Sequence, residues 1–306
     1  MWLSQLKQLW SDALLPGRAP LSRKRLLPLV RARTPLHHAQ VPFILCWSHK
    51  AGCTAILKWF FYHAGVMDTA LEYRKSNNKL QIHNYENDVF KSRGGYKQEL
   101  VAAIMAGKPA IKFVRCPYQR LFSSYMQLNN VRFLLRKKKG QNTPGMALRQ
   151  RVIDFLHGDG MDFNSPISFR EYLDWLKQQA PESLDPHHAP QWTLLDEVIP
   201  VSYYRLEDFN QSVDILEQQF SLKKSGAVRN RFSSGHHLKK QLLSRQDALQ
   251  FLYEAPALTE FGNVSLPVIT SDLLEGTELA PLINDLFEKD IALYESLAVT
   301  IENPGQ

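Results

Sequence analysis

The chain has 306 residues, 44% of them hydrophobic and 22% charged, with a formal net charge of +7 at pH 7. This composition is ordinary for a folded protein with a sizeable core and excludes a disordered or fibrous chain. The positive charge suits an anionic ligand, an acidic polymer or a membrane surface, without choosing among them.

The cysteines and the apolar segments argue against a disulfide-rich, metal-binding, membrane-spanning or secreted protein. Three cysteines argue against a disulfide framework, and their spacing does not match a metal site. No segment approaches the roughly 18 consecutive apolar residues of a membrane span, and the N-terminus lacks the apolar centre of a signal peptide. We therefore expect a cytoplasmic protein that binds no metal.

Residues 1–40 are predicted to form a basic N-terminal extension. Residues 1–15 carry apolar side chains at helical spacing, and the following stretch is broken by prolines and rich in arginine. In one interpretation the helix packs on the main domain. In the other it makes a peripheral membrane or partner contact, so the protein would be membrane-associated.

Residues 41–300 are predicted to form one α/β domain, because short apolar runs alternate with helical patterns. The run VPFILCW at 41–47 is typical of a strand buried on both faces of a parallel sheet. The basic segment 132–145 is interpreted as an exposed loop or lid. We predict strands at 41–47, 109–115 and within 196–209, and helices at 54–65, 96–107, 117–130, 168–179, 211–222 and 280–297.

The sequence HKAGCT at 49–54 lies between the first predicted strand and the first helix of this domain. A helix N-terminus exposes free amides and partial positive charge, which suits phosphate. Gly52 would let the backbone approach an oxyanion, Thr54 could add a hydroxyl, and Lys50 supplies a mobile positive charge. Taken alone, the motif is also compatible with a tight turn and a surface lysine.

A second segment, KFVRCPYQRLFSSY at 112–125, repeats the order of strand, charged residue and helix. Arg115 lies at the predicted strand end, and Ser123 and Ser124 lie about two turns into the helix. An arginine with a hydroxyl is a good site for a separate phosphate.

Together the two segments resemble the nucleotide-binding signatures of sulfotransferases that use 3′-phosphoadenosine-5′-phosphosulfate (PAPS). The family signatures run P-K-x-[AG]-[CT]-T and R-[DE]-P-x-x-R-L-x-S-x-Y, and the Cys-Thr pair is most similar to the carbohydrate branch. The resemblance implies a bacterial-type member with a parallel sheet flanked by helices, like that of P-loop nucleotide kinases. It also implies PAPS as donor, without a metal. By this match the 5′-phosphosulfate is held by Lys50, Ala51, Gly52, Cys53 and Thr54, and the 3′-phosphate by Arg115 and Ser123.

Weaker matches extend the resemblance over most of residues 41–297, including DPHHAPQW at 185–192. The departures are also specific. His49 stands where the family has proline, Cys116 replaces an acidic residue, His188 replaces tryptophan, and Leu195 replaces a disulfide-forming cysteine of lumenal members.

The implied reaction is an in-line sulfuryl transfer, which needs positioning and cations more than covalent chemistry. Lys50 is predicted to stabilise the bridging oxygen of the leaving group. Histidine is the usual acid–base residue. His83 lies between the two signatures, where related enzymes carry a histidine, and is the first choice for the base; His187 is second and Glu86 third.

The expected acceptor is a hydroxyl of a carbohydrate or glycoconjugate, which the sequence does not identify further. One alternative is a small-molecule kinase with a degenerate phosphate loop, although the Walker A glycines are missing. Another is a non-catalytic protein of the same fold that binds an anionic polymer or a membrane. No nucleic-acid-binding module is recognised, so a nucleic-acid partner is not expected.

Overall fold

The structure is a computed structural model, and it describes residues 21–77, 82–129, 144–180, 183–232, 240–241, 243–260 and 265–299. The predicted helix at 1–15 and nearly all of the basic segment 132–145 lie outside the described residues. The chain divides into two compact units. Unit 1 comprises Met1–Val114 and Gln191–Gly235, and unit 2 comprises Arg115–Pro190 and His236–Gln306.

The described elements mix α-helices with short strands, numbered here in chain order. The first part of the chain contains α1 (Arg23–Ala32), β1 (Ile44–Cys46), α2 (Cys53–His63), α3 (Met67–Ser76), α4 (His83–Tyr85), a π-helical turn (Glu86–Phe90), α5 (Tyr96–Met105), β2 (Ala110–Val114) and α6 (Pro117–Leu128). The remainder contains α7 (Pro144–His157), α8 (Phe169–Lys177), α9 (Leu194–Val198), β3 (Val201–Arg205), α10 (Phe209–Gln219), β4 (Lys240–Gln241), α11 (Arg245–Tyr253), β5 (Leu266–Pro267), α12 (Ser271–Leu274) and α13 (Leu279–Val299).

Unit 1 is built on a three-stranded parallel sheet in the order β1-β2-β3. Ile44 pairs with Ala110, and Ala110 pairs with Val201, so the central strand is β2. All residues of β1 and β2 are buried, as their apolar sequences predict for a sheet covered by helices. Because the strands are parallel, β1 and β2 end at the same edge of this sheet.

The core of unit 1 lies between this sheet and its helices. Phe43 stacks on Trp59 of α2 with ring centroids 5.4 Å apart. Leu26 and Val30 of α1 are fully buried in the same core, although residues 21–40 fall in the predicted extension. The helix α1 was not predicted, and it contains Pro28. Its N-cap residue is Ser22, whose hydroxyl accepts from the Arg25 amide.

Unit 2 is mainly helical, with a small parallel pair formed by β4 and β5. Its core contains Phe122, Tyr125, Phe169 and Tyr172 from α6 and α8. The predicted capping box of α8 is confirmed, since the Ser168 hydroxyl accepts from the Glu171 amide and the Glu171 carboxylate accepts from the Ser168 amide. None of the helices in the described part of the chain has the length and apolar character needed to cross a membrane.

Candidate functional site: an anion cradle in unit 1

The loop after β1 contains two residues in the left-handed backbone region before α2 begins. The Ala51 amide donates to the Ser48 carbonyl at 3.2 Å, and both Lys50 (φ 66°) and Gly52 (φ 71°) have positive φ. Lys50 and Ser221 are the two non-glycine residues with positive φ in the described chain. This conformation costs on the order of 1 kcal/mol for a residue with a side chain and is often found at functional sites.

Three consecutive amides at the start of α2 are available to a ligand. The Gly52 carbonyl accepts from the amides of Ala55 and Ile56 at 2.9 and 3.2 Å, which closes the first helical turn. The amides of Gly52, Cys53 and Thr54 donate to no acceptor among the described residues. We call these three amides the anion cradle, because free amides at a helix N-terminus attract anions.

A buried polar network anchors the start of this loop. The fully buried Ser48 hydroxyl donates to the Gln191 carbonyl at 3.2 Å and accepts from the Arg33 guanidinium at 3.1 Å. The same carbonyl accepts from the Lys112 ammonium at 2.7 Å. Lys112 also binds the Asp196 carboxylate at 2.7 Å. The buried Lys112 ammonium therefore has both a counter-charge and a hydrogen-bond acceptor, which offset the cost of burying it.

Gly52 has a close side-chain neighbour in addition to its positive φ. An added Cβ would lie 2.9 Å from Leu206 Cδ2 and closer still to Cδ1. Gly95 is a matched position, since it also has positive φ (82°) and precedes a helix, but its nearest neighbour would be 3.7 Å away.

We expect Gly52→Ala to lower the free energy of unfolding by about 2–3 kcal/mol, and Gly95→Ala by about 1 kcal/mol. Urea denaturation measures both. In a Leu206→Ala background the cost of Gly52→Ala should fall toward that of Gly95→Ala. Equal costs for the two glycine variants in the wild-type background would show that Leu206 does not constrain the loop.

His83 of α4 lies next to this loop. Its ring is 5.4 Å from the ring of Trp47, which follows β1 directly. Its Nδ1 is 2.7 Å from the Glu86 carboxylate, and that carboxylate is 2.5 Å from the Lys91 ammonium. Lys91 in turn donates to the Thr34 carbonyl at 2.6 Å. A chain of polar contacts thus fixes the orientation of the His83 imidazole.

The protonation of His83 follows from these neighbours. Burial lowers its pKa, but the Cys53 thiol and the Glu86 carboxylate raise it more strongly, to about 10. For Glu86, burial opposes ionisation, but Lys91 and His83 lower the pKa of its carboxyl below the ordinary value. His83 is therefore mainly an imidazolium at neutral pH, and its Nδ1 lies against the Glu86 carboxylate.

The raised pKa makes His83 a source of pH-dependent stability. The folded protein binds this proton more tightly than the unfolded chain, whose histidine pKa is about 6.5. The stabilisation is complete below pH 6.5 and is lost as pH rises through about 10. Between pH 7 and 10, we expect wild type to lose about 3 kcal/mol more unfolding free energy than His83→Gln. Equal losses in urea titrations would contradict this assignment.

The other predicted site residues belong to unit 2. Arg115 directly follows β2 and is half-buried, as is Ser123 in α6. Ser124 is fully buried, and its hydroxyl donates to the carbonyls of Arg120 and His187 at 3.1 and 2.6 Å. Ser124 therefore holds α6 against the segment that carries His187, whereas the Ser123 side chain is partly exposed.

The two adjacent histidines of unit 2 have different surroundings. His187 is half-buried, and its Nδ1 lies 2.7 Å from the Asp185 carboxylate. This contact holds the pKa of Asp185 well below its usual range. His188, which stands where the family has tryptophan, is fully buried against Trp175 and 2.8 Å from the Tyr172 hydroxyl. His188 is thus a core residue.

The structure groups Lys50, Ala51, Gly52, Cys53, Thr54 and His83 in unit 1, and Arg115, Ser123 and His187 in unit 2. Sequence reasoning missed Trp47, Lys91 and Arg33, whose roles depend on contacts between distant segments. In the described residues, no three His, Cys, Asp or Glu side chains are grouped as metal ligands.

Comparison of the chain with protein-family models, curated proteins and solved structures gave no match in any of the three.

Proposed function

We propose that this protein is a sulfotransferase that moves the sulfuryl group of PAPS to a hydroxyl of a carbohydrate or glycoconjugate. The observation that carries the proposal is the anion cradle, whose three amides at the start of α2 have no acceptor in the part of the chain that the structure describes. The lysine of the first signature lies in the turn before them. We interpret β1, the loop and α2 as a P-loop-like unit. Such a site suits the phosphate of a phosphosulfate.

The proposed reaction is an in-line displacement. The acceptor oxygen forms a bond to sulfur while the bond from sulfur to the bridging oxygen breaks. In the proposal, the amides of the anion cradle hold the 5′-phosphate, and Lys50 stabilises the charge that develops on the bridging oxygen. Arg115 and Ser123 are proposed to bind the 3′-phosphate, on the basis of the sequence signature.

His83 is proposed to accept the proton of the acceptor hydroxyl, with His187 as the second choice. A base works only in its deprotonated form, and the pKa of His83 near 10 makes that form scarce at pH 7. We therefore expect kcat/KM to rise with pH between 7 and 9.5. In Glu86→Gln this rise should occur at lower pH, because the variant lacks a carboxylate that raises the pKa of His83. An unshifted profile in Glu86→Gln would assign the base elsewhere.

The first test is calorimetric binding of adenosine 3′,5′-bisphosphate beside AMP and ATP. We expect the bisphosphate to bind most tightly, and Arg115→Ala to abolish this preference while leaving AMP binding unchanged. Arg151→Ala, which removes an exposed arginine from α7 of the same unit, is the charge-matched control. Binding without preference for the 3′-phosphate would contradict the proposal, and preference for ATP would favour a kinase.

The compartment forms part of the proposal. Cys46, Cys53 and Cys116 are all free thiols, which suits a reducing compartment such as the cytoplasm. Contact with a membrane through residues 1–40 remains a hypothesis from the sequence.

A further inference from the structure

A groove of about 670 Å³ lies in unit 1 between α3 and the segment formed by α4 and the π-helical turn. One wall is a face of α3 between Asp68 and Ser76, and Tyr85 and Val89 belong to the other wall. Ligand clefts commonly have volumes of about 300–1,000 Å³. The residues that line this groove do not include those of the anion cradle, so it is a separate candidate site.

Tyr85 lies at the base of this groove. It is only 7% exposed, and its ring packs edge-on against Phe61, with the centroids 5.5 Å apart. The Tyr85 hydroxyl has no hydrogen-bond partner in the part of the chain that the structure describes, yet its oxygen is not sealed from solvent. Buried hydroxyls usually have a partner. This hydroxyl is therefore available to a ligand in the groove that Tyr85 lines.

Tyr73 and Val89 give the groove an apolar surface. The Tyr73 ring lies 5.7 Å from the ring of Tyr85, at an angle of 65°. Its hydroxyl donates to the Asp88 carboxylate at 3.1 Å, which fixes the Tyr73 ring in place. Val89 is 38% exposed. A ligand with an apolar face can therefore pack on this surface while its polar groups reach the Tyr85 hydroxyl.

The groove carries little net charge. The Asp68 carboxylate pairs with the Arg231 guanidinium at 2.5 Å, so its charge is offset. The exposed Glu72 carboxylate accepts from the Ser76 hydroxyl at 3.0 Å and keeps further acceptor capacity. Lysine and arginine do not occur among the described residues that line the groove. This set disfavours an anion and leaves one carboxylate as a hydrogen-bond acceptor.

We propose that this groove binds an uncharged sugar chain. Sugar hydroxyls both donate and accept, so they can donate to the Glu72 carboxylate and accept from the Tyr85 hydroxyl. The C–H face of a sugar ring packs on the Tyr73 ring. A basic peptide would also suit a carboxylate, but the Arg231 guanidinium at Asp68 disfavours it. The groove adds a glycan site to the proposed function and does not depend on sulfuryl transfer.

The experiment measures binding to the full chain without nucleotide, by saturation-transfer NMR and calorimetry. The neutral probes are maltotetraose, cellotetraose and tetra-N-acetylchitotetraose. Tetragalacturonate is the anionic counterpart, and tetralysine is the basic peptide. We expect at least one neutral probe to bind with a Kd of about 1 mM or tighter. Tetragalacturonate should bind at least about tenfold more weakly than that probe, because Glu72 repels it.

Tyr85→Phe keeps the ring and removes only the hydroxyl, so it should weaken binding of the neutral probe by about five- to tenfold. Tyr73→Ala should abolish binding, since it removes the packing surface. Tyr253→Phe, which changes an exposed tyrosine of α11 in unit 2, is the matched control and should bind as wild type does.

Three results would overturn the proposal. They are no binding of any neutral probe at about 10 mM, equal affinity in Tyr85→Phe and wild type, and tightest binding of tetralysine, which would assign the groove to a basic peptide. Binding of adenosine 3′,5′-bisphosphate by the same proteins separates this site from the proposed function. A protein that prefers the bisphosphate and binds no sugar loses only the groove proposal, and one that binds sugar without that preference keeps it.

Discussion

Replacing Lys50 by glutamine should lower the rate of the proposed sulfuryl transfer by about 100-fold or more, while the protein stays folded and still binds the proposed ligand, adenosine 3′,5′-bisphosphate. The expected loss is this large because a fixed positive charge at the bridging oxygen acts mainly in the transition state, when that oxygen becomes negative. Glutamine keeps most of the side-chain length and removes only the charge.

The structure gives a reason to expect that Lys50, rather than a nearby cation, stabilises the bridging oxygen in the proposed reaction. It stands in the turn that leads directly into the anion cradle, and it holds a backbone conformation with φ 66° that side chains rarely adopt. Such local strain persists only where the surrounding structure fixes it. Here the Ser48–Ala51 turn and the buried Ser48 hydroxyl provide that constraint.

Lys58→Gln is the matched control, since Lys58 lies later in α2 and donates to the Arg231 carbonyl at 2.9 Å. Release of labelled sulfate from PAPS provides a readout before an acceptor is found, and transfer to an acceptor provides a second. Turnover of Lys50→Gln equal to that of wild type would remove Lys50 from the mechanism. An equal loss in Lys58→Gln would indicate a general charge effect.

The sequence predicts the elements of this fold best where one residue pattern decides them. The apolar runs around Ile44 and Ala110 mark buried strands, and Ser168 with Glu171 marks a helix start, because these signals are local. Helix α1 was not predicted, since Pro28 interrupts its pattern while the burial of Leu26 and Val30 stabilises it. Tertiary packing overrides local propensity in that case.

The site is predictable only in part for the same reason. The order of strand, glycine-containing turn and helix indicates the anion cradle, because free amides follow from local geometry. The pKa of His83 does not follow from sequence, since it depends on Glu86 and Cys53 meeting in space. Likewise Glu217 accepts from the Trp59 indole at 3.0 Å across a separation of 158 residues, and no local pattern indicates that contact.

The largest stability effect is expected at Asp196, a buried carboxylate of unit 1. We expect Asp196→Ala to lower the free energy of unfolding by about 3–5 kcal/mol, because it leaves the Lys112 ammonium buried without a counter-charge. Both side chains are only 2% exposed, and Lys112 lies in the central strand of the sheet. Asp196 also accepts from the Thr193 amide and hydroxyl at 2.6 Å, so the variant loses the capping box of α9 as well.

The effect should also reach the anion cradle, because Lys112 shares the Gln191 carbonyl with Ser48 at the start of the loop. In folded Asp196→Ala, bisphosphate binding should therefore weaken together with stability. Glu99→Ala, which breaks an exposed pair with Arg93, is the control and should cost less than about 1 kcal/mol in urea denaturation.

A second variant separates the buried charge from the lost packing. Lys112→Met combined with Asp196→Asn removes both charges and keeps a cap for α9, so it should be more stable than Asp196→Ala alone. If the double variant is the less stable protein, packing rather than the unpaired ammonium determines the cost. If Asp196→Ala lowers the free energy of unfolding no more than Glu99→Ala does, the Lys112–Asp196 pair does not stabilise the sheet. The position of the loop after β1 then depends on Arg33 and Ser48 alone.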